Sequence, residues 1–144
     1  MIQTQTILKV ADNSGAKTVK CIKVLNKSNV AHVGDCILVS VRSLRTGLVK
    51  EANHITGKKS STLKKGQIYK ALIVRTKKGI VNRPNGHMIQ FQSNDVVLLA
   101  SSASAGKRPD PQSTLLGSRV FGPISREFRA KNYKKILSQA KRMV

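Results

Sequence analysis

Three histidines, two cysteines and six carboxylates are the side chains from which this chain could build a catalytic centre, and their placing argues against one. His32, His54 and His87 fall in three different turns or loops, with neither metal-ligand spacing nor a neighbouring nucleophile and orienting acid. The acids, Asp12, Asp35, Glu51, Asp95, Asp110 and Glu127, are scattered, so a paired-carboxylate site is not expected. Asp35 follows Gly34 in a turn, and Glu127 is expected to pair with a nearby Arg. Cys21 and Cys36 lie in apolar runs and are too few for a disulfide framework or a zinc site, which need numerous or closely spaced ligands. Both read as buried, reduced core residues. The expectation is a protein without catalysis, metal or cofactor.

Phosphate binding is the chemistry the composition supports. Lys and Arg number 27 against 6 Asp and Glu, a formal net charge of +21. Such a chain repels itself and needs a polyanion nearby. The basic residues run from Lys9 to Arg142. Charge spread in this way suits a folded body pressed into RNA from several sides, whereas a membrane binder more often carries one basic amphipathic helix. Four groups are candidates for RNA contact. Arg75, Lys77, Lys78 and Arg83 flank Gly79; Asn13, Ser14 and Lys17 surround a glycine turn whose backbone N–H groups can meet phosphate oxygens. Lys64 and Lys65 form a third group, and Arg126, Arg129 and Lys131 a fourth.

Each group also has a plainer reading. A Lys-rich turn is commonly just solvated, and Asp12 or Asn13 can bond locally in an Asx-type turn. The C-terminal charges can point to water from a helix docked through Phe128, Tyr133 and Ile136. Phe121, Phe128 and Tyr133 read as core or docking residues, not stacking platforms. A free module for single strands or tRNA would present several aromatics on a sheet. Here there are 3 Phe, 2 Tyr and no Trp, and the strand-like runs carry only Tyr69 and Phe91.

The elements that must position these residues are mainly strands. Residues 6–10, 18–25 and 36–41 are apolar runs rich in β-branched side chains, bounded by turns at 12–15 and 33–35. In the third run Ile37, Val39 and Val41 alternate with Leu38 and Ser40, one apolar face and one mixed, as in a barrel wall. Residues 45–66 are polar and basic and read as a mobile loop. Strand character resumes at 68–75 and, beyond a turn at 83–86, at 88–91 and 96–100. Residues 101–114 read as a linker. After Gly122-Pro123 the pattern turns helical, with Tyr133, Ile136, Leu137 and Ala140 at i, i+3, i+4 and i+7, so one helix is expected to cap a small, closed or nearly closed β-barrel. At 144 residues the chain is one domain with extensions: a barrel over about 1–100 with a loop inserted at about 50–63, the linker, and a C-terminal helical region at about 115–144. No run approaches the ~20 apolar residues of a membrane span. The opening MIQTQTILKV lacks the pattern of a secretory signal.

Three strings carry a resemblance to a known family: MIQTQTILKVADNSGAKTVKCIKVL, KKGQIYKALIVRTKKGIVNRPNGHMIQFQSNDVVLL and GSRVFGPISRE. They resemble large-subunit ribosomal protein fourteen in its bacterial or organellar form, in the family's order and over nearly the whole chain. The middle string is the most specific, with Ala71 to Val74, Asn85-Gly86, Phe91, Asn94 and Val97-Leu98 at the family's spacing. The resemblance implies a five-stranded β-barrel with a short C-terminal helical region, bound to large-subunit rRNA at the intersubunit face. It also implies large-subunit ribosomal protein nineteen as neighbour and small-subunit rRNA across an intersubunit bridge. Ser118, Arg119 and Lys135 fall where the family contacts a ribosome-silencing factor. Residues from about 50 to 63 are longer than the bacterial pattern and 102–113 form a further insertion; the longer loop before the KKG string resembles mitochondrial members, so a mitochondrial ribosome is expected, with bacterial cytoplasm or plastid as the alternative.

Overall fold

Strand alternation and strand pairing together decide which side chains of this chain reach water. The computed structural model describes residues 1–26, 28–45, 63–79, 86–102 and 115–144. Five strands, β1 (Ile7–Val10), β2 (Ala16–Val24), β3 (Cys36–Leu44), β4 (Ile68–Arg75) and β5 (Asp95–Ser102), close into a barrel in that order. Neighbours are antiparallel except at the seam, where Lys9 and Val10 of β1 run parallel to Asp95 and Val96 of β5. Closure leaves no barrel strand with an open edge.

The two halves of the wall differ in what lies outside them. In β1 to β3, Leu8, Val10, Val19, Cys21, Ile37, Val39 and Val41 fill the interior. Lys9, Lys17, Lys20, Ile22, Lys23 and Arg42 of the same strands are exposed. Over residues 71–74 of β4 and 96–99 of β5 both faces are covered. Ala71, Ile73, Val96 and Leu98 join the interior, while Leu72, Val74, Val97 and Leu99 pack outward into a second cluster with Val120, Ile124, Phe128 and Ile136. This is why residues 71–74 and 96–99 are unbroken apolar runs: two-sided burial removes the polar alternate positions.

That second cluster is the seat of the C-terminal region: β6 (Val120–Ile124), a 3-10 turn at Arg126–Phe128, α1 (Lys134–Gln139) and β7 (Ala140–Met143). It departs from the helical expectation in three respects. β6 is extended through Gly122-Pro123, β7 pairs with it in parallel, and Ala140 is extended instead of helical. A six-residue helix is below the length that sustains itself in water. The parallel pairing, continued by hydrogen bonds from Arg126 N–H to the Val144 carbonyl and from Val144 N–H to the Ile124 carbonyl, takes over after one turn and a half. Ile136 is buried and Tyr133, Leu137 and Ala140 still pack on the second cluster. The helix thus reaches the barrel through this cluster, and the Tyr133 hydroxyl before it donates to the Gly34 carbonyl of the β2–β3 turn at 3.5 Å.

A second difference lies at 88–91, which forms no named strand. Both edges of β4 are taken by β3 and β5, and among the described residues this segment meets the chain just beyond β4, where Phe91 N–H donates to the Thr76 carbonyl. The other expected strands stand, with β2 starting two residues early and β3 running on to Leu44. The 45–66 loop lies largely, and the 83–86 turn and the 101–114 linker mostly, outside the described residues.

Cys21 and Cys36 are buried free thiols. Burial pushes both up to about 11. At Cys36 the hydrogen bond with the Tyr133 hydroxyl opposes that rise in part; the hydroxyl, for its own part, is raised by burial. A thiol raised on folding contributes stability that is full below its unfolded value near 9 and is lost as pH climbs through about 11. The expected result is a thermal midpoint that falls between pH 9 and 11. The fall should be shallower in a Cys21→Ala, Cys36→Ala double variant, measured by circular dichroism. Equal slopes in the two proteins would remove the cysteines as its cause.

Candidate nucleic-acid interface

The turn between β1 and β2 is built around a buried carboxylate. Asp12 Oδ2 accepts the Leu98 N–H at 2.8 Å, and Oδ1 accepts the Ser14 N–H at 2.9 Å and the Ser14 hydroxyl. The turn is thereby bolted to β5, and the Ser14 amide is committed to its Asx partner. Asn13 points the other way. Its Oδ1 accepts the N–H groups of Ser118 and Arg119 at 2.8 and 3.1 Å, and its Nδ2 donates to Ser118 Oγ at 2.9 Å. Two stretches 105 residues apart in sequence thus share one surface. Gly117 permits the approach, since a Cβ there would stand 2.7 Å from Asn13 Oδ1.

Arg75 is held from three sides. Its Nε donates to Asp95 Oδ2 at 2.6 Å, and Nη1 donates to the carbonyls of Phe121 at 2.7 Å and Pro123 at 3.0 Å. Its side chain is 12% exposed and that of Asp95 5%. Ser93 Oγ also donates to the same carboxylate. Gly122, with φ +81°, lets the guanidinium in; a Cβ there would lie 2.5 Å from Nη1. Arg75 therefore latches β4 to β5 and β6. Lys77 and Lys78, just beyond, are exposed, on backbone fixed by the Lys77 N–H to Asn94 Oδ1 bond and by Thr76 Oγ1 donating to the Lys78 carbonyl. Arg83, the fourth member of that group, lies outside the described residues.

Lys64 and Lys65 are exposed where the chain enters β4, the Lys64 N–H bonded to Gln67 Oε1. In the C-terminal region, Arg126, Arg129 and Lys135 are exposed. Lys131 lies over Gly34 and donates to the Val33 carbonyl at 3.0 Å, with Asp35 Oδ1 3.9 Å away, so it docks this region onto the β2–β3 turn.

A further basic surface belongs to strands and not to a Lys-rich turn. On the outer face of β1 to β3, Lys9 lies opposite Thr18, and Thr18 opposite Ser43; the next row runs Ile7, Lys20, Ser40. The Thr18 and Ser43 hydroxyls bond to each other. With Lys17, Lys23 and Arg42, these rows make a sheet face of cations and hydroxyls on which no carboxylate of the described residues forms an ion pair. The signal was present in the alternation of residues 17–23 and 37–42, whose polar positions face outward. A rigid sheet presents such charges at fixed spacing, as recognition of a nucleic-acid backbone requires.

Phe121 also sits otherwise than its sequence context suggests. It is 45% exposed and not part of either core cluster, unlike buried Phe128 and half-buried Tyr133, which meet edge to face at 5.8 Å. Among the described residues no three His, Cys, Asp or Glu side chains gather as metal ligands, and no helix is long and apolar enough to cross a membrane. A family model, described as Ribosomal protein L14p/L23e, matches residues 1–144.

Proposed function

Because the chain belongs to the ribosomal protein L14p/L23e family, a structural, non-enzymatic family of the large ribosomal subunit, we propose that it binds large-subunit rRNA chiefly through the outer face of β1 to β3, at the intersubunit side. The observation that carries this reading is the asymmetry of the barrel wall. β4 and β5 are covered by the chain's own C-terminal region, while the opposite wall carries Lys9, Lys17, Lys20, Lys23 and Arg42. A surface of that charge density concentrates phosphate oxygens and releases counterions on contact.

Lys64 and Lys65, Lys77 and Lys78, and Arg126 and Arg129 extend the contact as exposed cations on backbone of fixed course, with Arg83 beside them in sequence. Arg75 supports the contact from beneath, and Asn13 and Ser14 shape the turn next to Lys17. Lys131 serves docking first, and its half-exposed side chain gives RNA a secondary contact. The resemblance to ribosomal protein fourteen supports large-subunit protein nineteen as neighbour and small-subunit rRNA as the bridge partner. For a silencing factor, Ser118 and Arg119 make a suitable surface, since both are exposed and Asn13 fixes their backbone and the Ser118 hydroxyl, and Lys135 is exposed on α1. A mitochondrial ribosome is the proposed location, on the strength of the longer sequence at 50–63 and 102–113.

Sucrose-gradient sedimentation of tagged protein, from purified mitochondria and from cytosol at moderate and high salt, tests the reading. The protein is expected in the large-subunit and whole-ribosome fractions of mitochondria. Recovery at the top of the gradient as free protein would make an off-ribosome binding module the better reading, and recovery in cytosolic ribosomes would move the compartment.

A further inference from the structure

We propose that Phe121 is a stacking platform for one unpaired nucleobase of the bound RNA, backed on its other face by the Arg45 guanidinium. This inference rests on the RNA-binding reading above and specifies a contact within it.

Single exposed apolar side chains are ordinary on protein surfaces. Phe121 differs in how firmly it is placed. Its N–H donates to the Ala11 carbonyl at 2.7 Å, and its own carbonyl accepts from Arg75 Nη1 at 2.7 Å. The Arg45 guanidinium carbon lies 5.4 Å from the ring centroid, and Arg45 is itself oriented by a 3.0 Å bond from Nη2 to the Val10 carbonyl. An exposed ring whose backbone is fixed on both sides loses little conformational freedom when a flat partner settles on it, which favours binding.

The chemistry of the surroundings selects the partner. Arg45, which lies over the ring, and exposed Lys17 flank the Ala16–Leu44 pair at one end of the basic sheet face. A cationic ligand would be repelled. A nucleobase brings a π face for the ring and a phosphate for the neighbouring cations, and base–aromatic stacking tolerates any base. Arg45 is the positioning residue: its cation draws on the π density of the covered face and holds the ring outward.

The chain has no tryptophan, so Phe121→Trp makes a unique fluorophore at the proposed contact. Full-length Phe121→Trp protein, titrated with a transcript of large-subunit rRNA, is expected to show strong quenching of that emission. Inorganic polyphosphate, which offers charge without bases, should bind and leave the emission nearly unchanged. In parallel, Phe121→Leu should weaken RNA binding about tenfold with no change in the slope of affinity against salt, because a base contact and not a phosphate contact is lost. Equal emission with and without saturating RNA, or equal quenching by polyphosphate, overturns the inference. A Phe121→Leu protein that binds RNA as the wild type does but fails to enter the large subunit also overturns it, and gives the ring to a protein neighbour. Wild-type protein that binds no RNA in a filter assay would bring down the RNA reading itself, an outcome distinct from bound RNA with an unquenched fluorophore.

Discussion

Arg75→Met is expected to lower the stability of the folded protein by about 3–5 kcal/mol, the usual consequence of removing one partner from a buried ion pair. In a chain of this size that corresponds to a fall in thermal midpoint of roughly 10 °C. The effect is large because the substitution leaves the Asp95 carboxylate, 5% exposed, without its cation. Ser93 Oγ still donates to it, but a hydroxyl does not neutralise a charge. The carbonyls of Phe121 and Pro123 lose their donor in the same step, so β6 loosens along with the β4–β5 edge. Asp95→Asn should destabilise by a comparable amount, for the mirror reason. The Arg75→Met, Asp95→Leu double variant should recover much of the loss, since no buried charge is then unpaired. Thermal and urea unfolding of the four proteins checks this; a single Arg75→Met variant that unfolds with the wild type would show that the latch contributes nothing. Lys77→Glu and Lys78→Glu, made alongside, should leave the midpoint within about 0.5 kcal/mol of wild type, as exposed substitutions do.

The second large effect concerns RNA. A Lys9→Glu, Lys20→Glu, Lys23→Glu variant is expected to bind large-subunit rRNA more weakly by on the order of a hundredfold at moderate salt. Its slope of log affinity against log salt should be shallower by about 2–3, since each lost phosphate contact removes roughly 0.7–0.9. All three side chains are exposed, and none forms an ion pair with a described carboxylate, so folding is not at stake. Lys131→Ala is the informative contrast: its Nζ is bonded to the Val33 carbonyl, and its loss should loosen the C-terminal region while changing the salt slope by at most one contact. Filter binding over a salt series reads both. Should the triple variant keep wild-type affinity and slope, the β1–β3 face is not the RNA interface, and Lys64, Lys65, Lys77 and Lys78 become the leading set.

The two substitution series separate residues that look alike in the sequence. Arg75, Lys77 and Lys78 are neighbours in one basic stretch, yet Arg75 faces a carboxylate brought from twenty residues away and the two lysines face solvent. Nothing in the local spacing distinguishes them, because the partner that claims Arg75 arrives only when β4 pairs with β5. Lys131 is a similar case: its docking position requires the β2–β3 turn, 98 residues earlier in the chain, to lie beneath it.

What the sequence determined unaided was whatever depends on local periodicity and on composition. The alternation at 36–41 specified a barrel wall with one wet face, and a net charge of +21 pointed to a polyanionic partner. Three ordered strings specified the family, which the whole-chain match establishes. The buried state of Cys21 and Cys36 followed from their apolar surroundings. The tertiary structure alone decided the rest. It showed that the apolar runs of β4 and β5 are covered on both sides, that the helical spacing after Tyr133 yields to a parallel strand pair at Ala140, and that Phe121 stands in the open on an arginine. Each of these turns on a contact between segments distant in sequence. Side-chain period tells a residue which face of its own strand or helix it occupies; only closure of the barrel and docking of the C-terminal region onto it settle what, if anything, lies against that face.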